Sequence, residues 1–262
     1  MAPPSSPPGA PPRISVVIPV FDEERIVREA CEELMARLDE RGHDYELILA
    51  ENGSRDRTVE ILRRLSAERP RLRWLHGEEP NYGLALRCGI LAARGTYVLC
   101  DEIDLCDVRF YDRALPMLEA GTDMVVGSKR APGAEDNRPA FRRFATFVHN
   151  RLLRILLGFR GTDTHGPKAF VRERIAPTAA RCVVDRDVFA SELVMRAGLE
   201  GKKVVEVPIV LAEKRPPSVH LLRRVPNVLR QVARLFWVLR IHAPARGEER
   251  AAASTGAGER AK

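Results

Sequence analysis

The stretch ISVVIPVFDEE, residues 14–24, decides how this chain is read. From Ile14 to Val20 it runs without a charge, rich in β-branched residues, and then stops at a polar turn. A continuous apolar run of that length marks a strand buried on both faces, as in a parallel sheet. Working outward, Ile26, Ala30, Leu34 and Leu38 recur at helical spacing through 23–41, and Gly42 closes that segment. The alternation then repeats. Strands are predicted at 45–50, 72–76 and 96–100, with another beginning at 124; helices are predicted at 57–68, 84–94 and 110–120. Such β-α-β-α order predicts an α/β, Rossmann-like fold: a doubly wound, mainly parallel sheet flanked by helices.

Ligands on sheets of this kind bind beyond the carboxyl ends of the strands. Polar clusters fall at those places here. Asp22 and Glu23 follow the first strand, Glu51 to Asp56 the second, and Glu102 to Asp104 the fourth. Three acidic clusters at three strand ends are expected to converge on one crevice.

Composition narrows the partners. The chain has 262 residues and a formal net charge of +7, most of the excess being arginine. That balance suits anionic partners such as nucleotide phosphates or anionic lipid. Nucleic acid is set aside, because only 6% of residues are aromatic and no binding motif is present. The five cysteines, Cys31, Cys88, Cys100, Cys106 and Cys182, form no CxxC pair. They read as reduced, mostly buried thiols in a cytoplasmic protein, not as a disulfide framework or zinc site.

Residues 1–12 and 244–262 are low in complexity and are expected to be disordered, leaving a domain over 13–220 and an amphipathic helix over 221–243. No signal peptide is expected. The longest apolar region, 225–241, is broken by Arg230, Arg234 and Arg240, so the chain is not expected to span a membrane.

Chemistry enters with Glu102-Ile103-Asp104. In an extended segment alternate side chains share a face, so both carboxylates can reach one cation, and all-oxygen ligation suits Mg²⁺ or Mn²⁺. The alternative is a solvated loop. In Glu51-Asn52-Gly53-Ser54-Arg55-Asp56, Glu51 is placed to accept from a base or ribose, while Ser54 or Asp56 is placed to cap the following helix. Asn81-Tyr82-Gly83 offers backbone N–H groups at a helix start, a weak phosphate signal.

Together the segments SVVIPVFDEE (15–24), ENGSRDRTVE (51–60), NYGLALRCGI (81–90), ARGTYVLCDEIDL (93–105), DMVVGSKR (123–130) and ELVMRAGLEGKKVVEVPI (192–209) resemble glycosyltransferase family 2. The likeness is nearest to its polyprenyl-phosphate sugar transferases. The resemblance implies a GT-A fold and a hexose moved, with inversion, from a GDP- or UDP-linked donor to a polyprenyl phosphate or similar membrane-associated acceptor. It implies that Pro19, Phe21, Asp22 and Glu23 line the nucleotide pocket, with Glu51 and Asp56 at base and ribose. Glu102 and Asp104 fall at the family's metal-binding DxD position, counted from Gly95. Lys129 and Arg130 fall where the family places basic character near the diphosphate, and Arg215 and Ser218 where it binds the acceptor phosphate. The chain departs from the pattern in several places. Its DxD is ExD, Cys106 replaces a polar residue, Asn52 replaces an acid, and Asp163-Thr164-His165-Gly166 replaces the usual SGF loop.

A phosphate acceptor, with a second pKa of about 6, is largely ionised already and needs positioning more than a base. A hydroxyl acceptor would need one, and Asp163, expected at the crevice rim, and His165 are the catalytic candidates beside Asp104. Leu222, Val225, Leu229, Val232, Phe236 and Leu239 recur at helical spacing among arginines. That segment reads either as a helix facing anionic headgroups at the inner face of the membrane or as one packed on the domain. Arg138, Arg142 and Arg143 add to the basic flank. Two rivals remain: a nucleotidyltransferase, which would call for a Gly-rich loop after the first strand, and a nucleotide-sugar-binding protein that no longer turns over.

Overall fold

A computed structural model describes residues 11–136, 140–159, 161–211 and 221–238. The opening run forms β1 (Ile14–Val20), followed by α1 (Val27–Glu40), β2 (Tyr45–Glu51), α2 (Thr58–Glu68), β3 (Leu72–Leu75), α3 (Tyr82–Ala92) and β4 (Tyr97–Cys100). Then come α4 (Val108–Glu119), β5 (Met124–Ser128), the short β6 (Glu135–Asp136), α5 (Ala140–Leu157), β7 (Lys168–Val171), α6 (Arg172–Ala180) and α7 (Phe189–Leu199). The described chain closes with β8 (Val204–Pro208), β9 (Val210–Leu211) and α8 (Leu221–Phe236).

Seven strands make one sheet in the order β3-β2-β1-β4-β7-β5-β8, and β6 pairs with β9 beside it. Every pairing in the large sheet is parallel except those of β7, which runs against both β4 and β5. The mainly parallel expectation therefore holds, with one reversed strand at its centre.

Side-chain alternation sorts the core into two layers. Ile14, Val16, Ile18 and Val20 of β1 point to one face with α1, α2 and α4, where Leu34, Leu38, Leu62 and Phe110 are buried. Val17 and Ile48 point to the other, where α3, α6 and α7 pack with Leu153 of α5 and Val232 and Leu235 of α8. Four of the five cysteines are buried as expected, and Cys88 is exposed. No helix among the described residues is long and apolar enough to cross a membrane. Residues 1–10 of the expected leader, the expected tail, Arg138, Arg215 and Ser218 lie outside the described residues.

Candidate active site

The carboxyl edge of the sheet is built from the turns after β1, β2, β4 and β5 and the loop that leads into β7. The first two turns are tied together. Asp22 adopts φ 53°, and its N–H donates to Ser54 Oγ at 3.0 Å. In return Asp22 Oδ1 accepts from Arg55 N–H at 2.7 Å, and Glu23 N–H donates to Thr58 Oγ1 at 2.8 Å. Gly53, at φ +74°, permits the tight turn and passes the backbone of Glu78 and Glu79 at a distance no side chain would tolerate comfortably. Pro19 is partly exposed and Phe21 exposed at the rim of this turn.

Glu51 ends β2 and is 1% exposed. Its Oε1 accepts from Ser54 N–H at 2.5 Å, and its Oε2 lies 2.6 Å from Nδ1 of the exposed His76. His76 thus joins Glu51 at the end of β2, although the sequence drew no attention to it. Asp56 does something else. Its Oδ1 accepts from Thr58 N–H at 2.9 Å and from the Thr58 hydroxyl, and its Oδ2 accepts from Glu24 N–H at 3.0 Å. Burial opposes ionisation, but these donors outweigh it and hold the carboxyl below the usual aspartate range. Both oxygens are thereby committed to the start of α2 and the β1 turn, which favours the capping role over ribose contact. Asn81 likewise caps α3, Oδ1 accepting from Leu84 N–H at 3.0 Å and from Arg186 N–H at 2.9 Å, so this helix start is closed rather than open to phosphate.

After β4 the chain does not continue extended. Leu105 and Cys106 N–H both donate to Glu102 O, at 3.0 and 3.1 Å, and Cys106 sits at φ 44°. The shared-face geometry expected of an extended ExD is replaced by a tight turn, because a buried acid pins it from below. Asp101, 3% exposed, accepts Glu102 N–H at 2.8 Å on Oδ1, and Asp107 N–H at 2.9 Å and the Tyr111 hydroxyl at 2.8 Å on Oδ2. Burial pushes its carboxyl up to about 7, with no cation among the causes. Glu102 is exposed and Asp104 half-buried. Glu102 acts on Tyr82, whose hydroxyl is pushed well up by burial first and then by that charge. Asp104 lines a groove of about 550 Å³ with Arg37, Arg41, Arg109, Pro167 and Ile209.

On the other side of β7 the turn after β5 carries Lys129, half-buried, and Arg130, exposed with its guanidinium 5.2 Å from the centre of the Phe147 ring. Between the two turns runs the loop into β7. Gly166 meets Gly127 O so closely that any Cβ would overlap it. Asp163 is fully buried, which corrects its expected place at the rim. Its Oδ1 accepts His165 N–H at 2.9 Å and its Oδ2 accepts Lys129 N–H at 3.2 Å. Burial raises its carboxyl, but the Lys129 charge and the two N–H groups prevail and leave it low. A carboxylate so held is a weak base. His165 is half-buried, with Nδ1 3.1 Å from Thr164 Oγ1.

Lys168 was missed by sequence reasoning, although a lysine inside the run KAFV is a visible anomaly. It is 2% exposed, and Nζ donates to Gly166 O at 2.8 Å. Burial lowers its pKa, while Cys100, Asp163 and Glu102 act to raise it and Lys129 to lower it. One buried ammonium is thus in electrostatic reach of Glu102, Asp163 and Lys129 together.

Among the described residues no group of three or more His, Cys, Asp or Glu side chains forms a metal cage. Asp104 lines the groove and Glu102 is not among its lining residues; each offers the carboxylate oxygen that suits Mg²⁺ or Mn²⁺, which keep waters and are usually bound through one or two carboxylates and substrate phosphates.

A mainly parallel sheet with acidic turns on one side of a central reversed strand and a basic turn on the other defines a GT-A fold. A crystal structure of glucosyl-3-phosphoglycerate synthase from Mycobacterium tuberculosis with Mn²⁺, uridine diphosphate and phosphoglyceric acid shares that fold. The TM-score is 0.62 at 23% identity, over 90% of this chain and 81% of that one. The chain belongs to glycosyl transferase family 2, whose sequence model matches residues 15–177, more than half its length. It is 29% identical over 234 residues to the glycosyltransferase AglD of Haloferax volcanii, covering 87% of this chain but only 38% of that protein. It is 27% identical over 203 residues to a dolichyl-phosphate hexose transferase of the same organism, covering 77% of this chain and 83% of the relative.

Proposed function

We propose that this chain is a metal-dependent, inverting hexosyltransferase that moves a hexose from a GDP- or UDP-linked donor to a polyprenyl phosphate at the membrane surface. The observation that carries the reading is the carboxyl edge of the sheet, where β7 stands between β4 with its acidic turn and β5 with its basic turn, and buried Lys168 pairs with Cys100 and Val126. In this reading Phe21, Pro19 and Glu51 hold the nucleoside, and Asp22 and Glu23 shape the turn beneath it. Asp104, with Glu102, would hold Mg²⁺ or Mn²⁺, and a cation bound there neutralises charge on the leaving diphosphate. Lys129 and Arg130 draw the diphosphate oxygens from the other side, and Lys168 adds fixed positive potential beneath them.

A phosphate acceptor fits the state of Asp163. This carboxylate of the β7 loop is held ionised and bonded, so an acceptor that arrives already ionised suits the site better than a hydroxyl does. His165 is left as the base for a hydroxyl acceptor.

The membrane part of the proposal rests on α5 and α8. Neither helix contains an acidic residue. Phe147, Val148 and Ile155 of α5, Leu229 of α8 and the adjoining Trp237 are exposed, and so are Arg143, Arg151, Arg154, Arg230 and Arg234. Val232 and Leu235 pack inward, so α8 anchors to the domain by one face and offers the other to anionic headgroups. Arg215 and Ser218, just before α8 in the chain, are proposed to take the acceptor phosphate.

The test is transfer of labelled hexose from a panel of GDP- and UDP-sugars, with Mn²⁺, into polyprenyl phosphate in phosphatidylglycerol vesicles. Lipid-extractable label that EDTA abolishes is the expected result. Efficient transfer to a water-soluble hydroxyl acceptor with none to polyprenyl phosphate would overturn it.

A further inference from the structure

Beneath the basic turn lies a chain of polar side chains from three separate segments. Ser128 Oγ, at the end of β5, is 2.6 Å from Thr162 Oγ1. Thr162 Oγ1 lies 2.5 Å from Glu206 Oε2 of β8, and Thr162 N–H donates to Glu206 Oε1 at 2.6 Å. Asp163 N–H reaches the same Oε1 at 3.4 Å. Ser128 Oγ also accepts from the N–H groups of Arg130 and Ala131, at 3.1 and 3.0 Å.

Counting donors fixes the direction of this chain. A serine hydroxyl has one hydrogen and two lone pairs, and both lone pairs of Ser128 are taken by backbone N–H groups. Ser128 must therefore donate to Thr162 Oγ1, which leaves the threonine hydroxyl to donate to Glu206. Each of these groups facing Glu206 is then a donor, and the carboxylate is the acceptor on which the series ends. Gly161 keeps the approach open, since a Cβ there would strike Glu206 Oε1 and the Phe159 ring. Asn150 Nδ2 closes the loop from α5 by donating to Thr162 O at 2.7 Å.

We infer that Glu206 is a positioning residue for the donor diphosphate. Through Thr162 and Ser128 it sets the backbone of the turn that aims Lys129 and Arg130, and through the Thr162 and Asp163 N–H groups it fixes the loop bearing Asp163 and His165. It touches no substrate itself. A residue 76 positions away in sequence from Arg130 thereby governs where that turn's cations stand. The inference rests on the proposed nucleotide-sugar reading.

The experiment is titration of UDP and of GDP, each with Mn²⁺, into the wild-type chain and into Glu206→Gln, Thr162→Val, Thr162→Ser and Ser128→Ala, with thermal unfolding alongside. The Glu206→Gln change needs no new volume, but the amide turns one acceptor into a donor facing a donor. We expect Glu206→Gln and Thr162→Val to weaken the bound nucleotide about tenfold, as for a lost charge-assisted hydrogen bond, with KM for the donor rising more than kcat falls. Thr162→Ser, which keeps the hydroxyl, should restore binding that Thr162→Val loses. Ser128→Ala frees the Arg130 and Ala131 N–H groups, removes the hydroxyl that donates to Thr162, and should weaken binding even where Glu206→Gln fails to fold. Binding equal to wild type in a folded Glu206→Gln or Ser128→Ala overturns the inference. If the wild-type chain itself binds neither nucleotide, the failure lies with the proposed function instead.

Discussion

The two ends of the sheet each bury a carboxylate, and they treat it in opposite ways. At the amino end Glu46, 3% exposed, accepts from Ser15 Oγ at 2.6 Å, from Arg94 N–H at 2.7 Å and from Arg73 Nε at 2.8 Å. Burial alone would raise its carboxyl, but the hydroxyl and the guanidinium groups outweigh it, and the result is low. At the carboxyl end Asp101 is hydrogen-bonded too, yet its carboxyl rises to about 7, with burial the largest cause. Depth of burial and counter-charge both differ. Glu46 has two arginines; the partners of Asp101 are two N–H groups and a phenol, with Glu102 adding like charge. One end is closed electrostatically, while the other holds a buried carboxyl with no cation beside it.

The largest effect that would break this contrast comes from Asp104→Ala. With Asp104 half-buried and outside the core, the fold should keep its melting temperature, while Mn²⁺-dependent turnover should fall about a hundredfold or more. A variant that loses stability and keeps turnover would place the structural burden at the wrong end. Next in size is Glu46→Gln, which leaves Arg73 and Arg94 without counter-charge. It should cost about 2 kcal/mol, a melting temperature lower by roughly 4–8 °C, with unchanged turnover per folded molecule.

The subtlest reading is a difference of slope, taken from melting temperatures of EDTA-treated protein between pH 3 and pH 8. The depressed Glu46 carboxyl contributes stability that is complete above the unfolded value of about 4.3 and is lost as pH falls through the lower folded value. Glu46→Gln should therefore converge on wild type in acid. Asp101 has the opposite sign. Between about pH 4 and pH 7 the folded protein holds a proton that the unfolded chain has released, so stability declines as pH rises, by no more than about 1.4 kcal/mol per pH unit. Asp101→Asn should remove that decline. Parallel pH profiles for the two variants would show that the ends do not differ.

Much of the fold was legible because β1, β2 and β4 are apolar runs and α1 to α4 follow them with helical period. The reversed strand was not, since only three apolar residues follow Lys168 in it and its partners β4 and β5 are fixed by pairing across the chain. Helix α5 runs from Ala140 to Leu157 with Arg142 and Arg143 near its start, so no apolar run marks where it begins. At the site, acids after strands could be read directly. Which of three neighbouring acids would be buried could not, because that depends on where β4 stops and on the positive φ of Cys106. Ser128, Thr162 and Glu206 are single polar residues on distant segments. No period links them, and only the folded sheet brings them into line.

A strand that runs against its neighbours starts where they finish. In β7 this means that the loop at 161–167 comes ahead of its strand, on a part of the chain far from the β1–β2 turns. A change there is felt at Lys129 and Arg130, through Thr162 and Asp163, while the β1–β2 turns keep ties of their own.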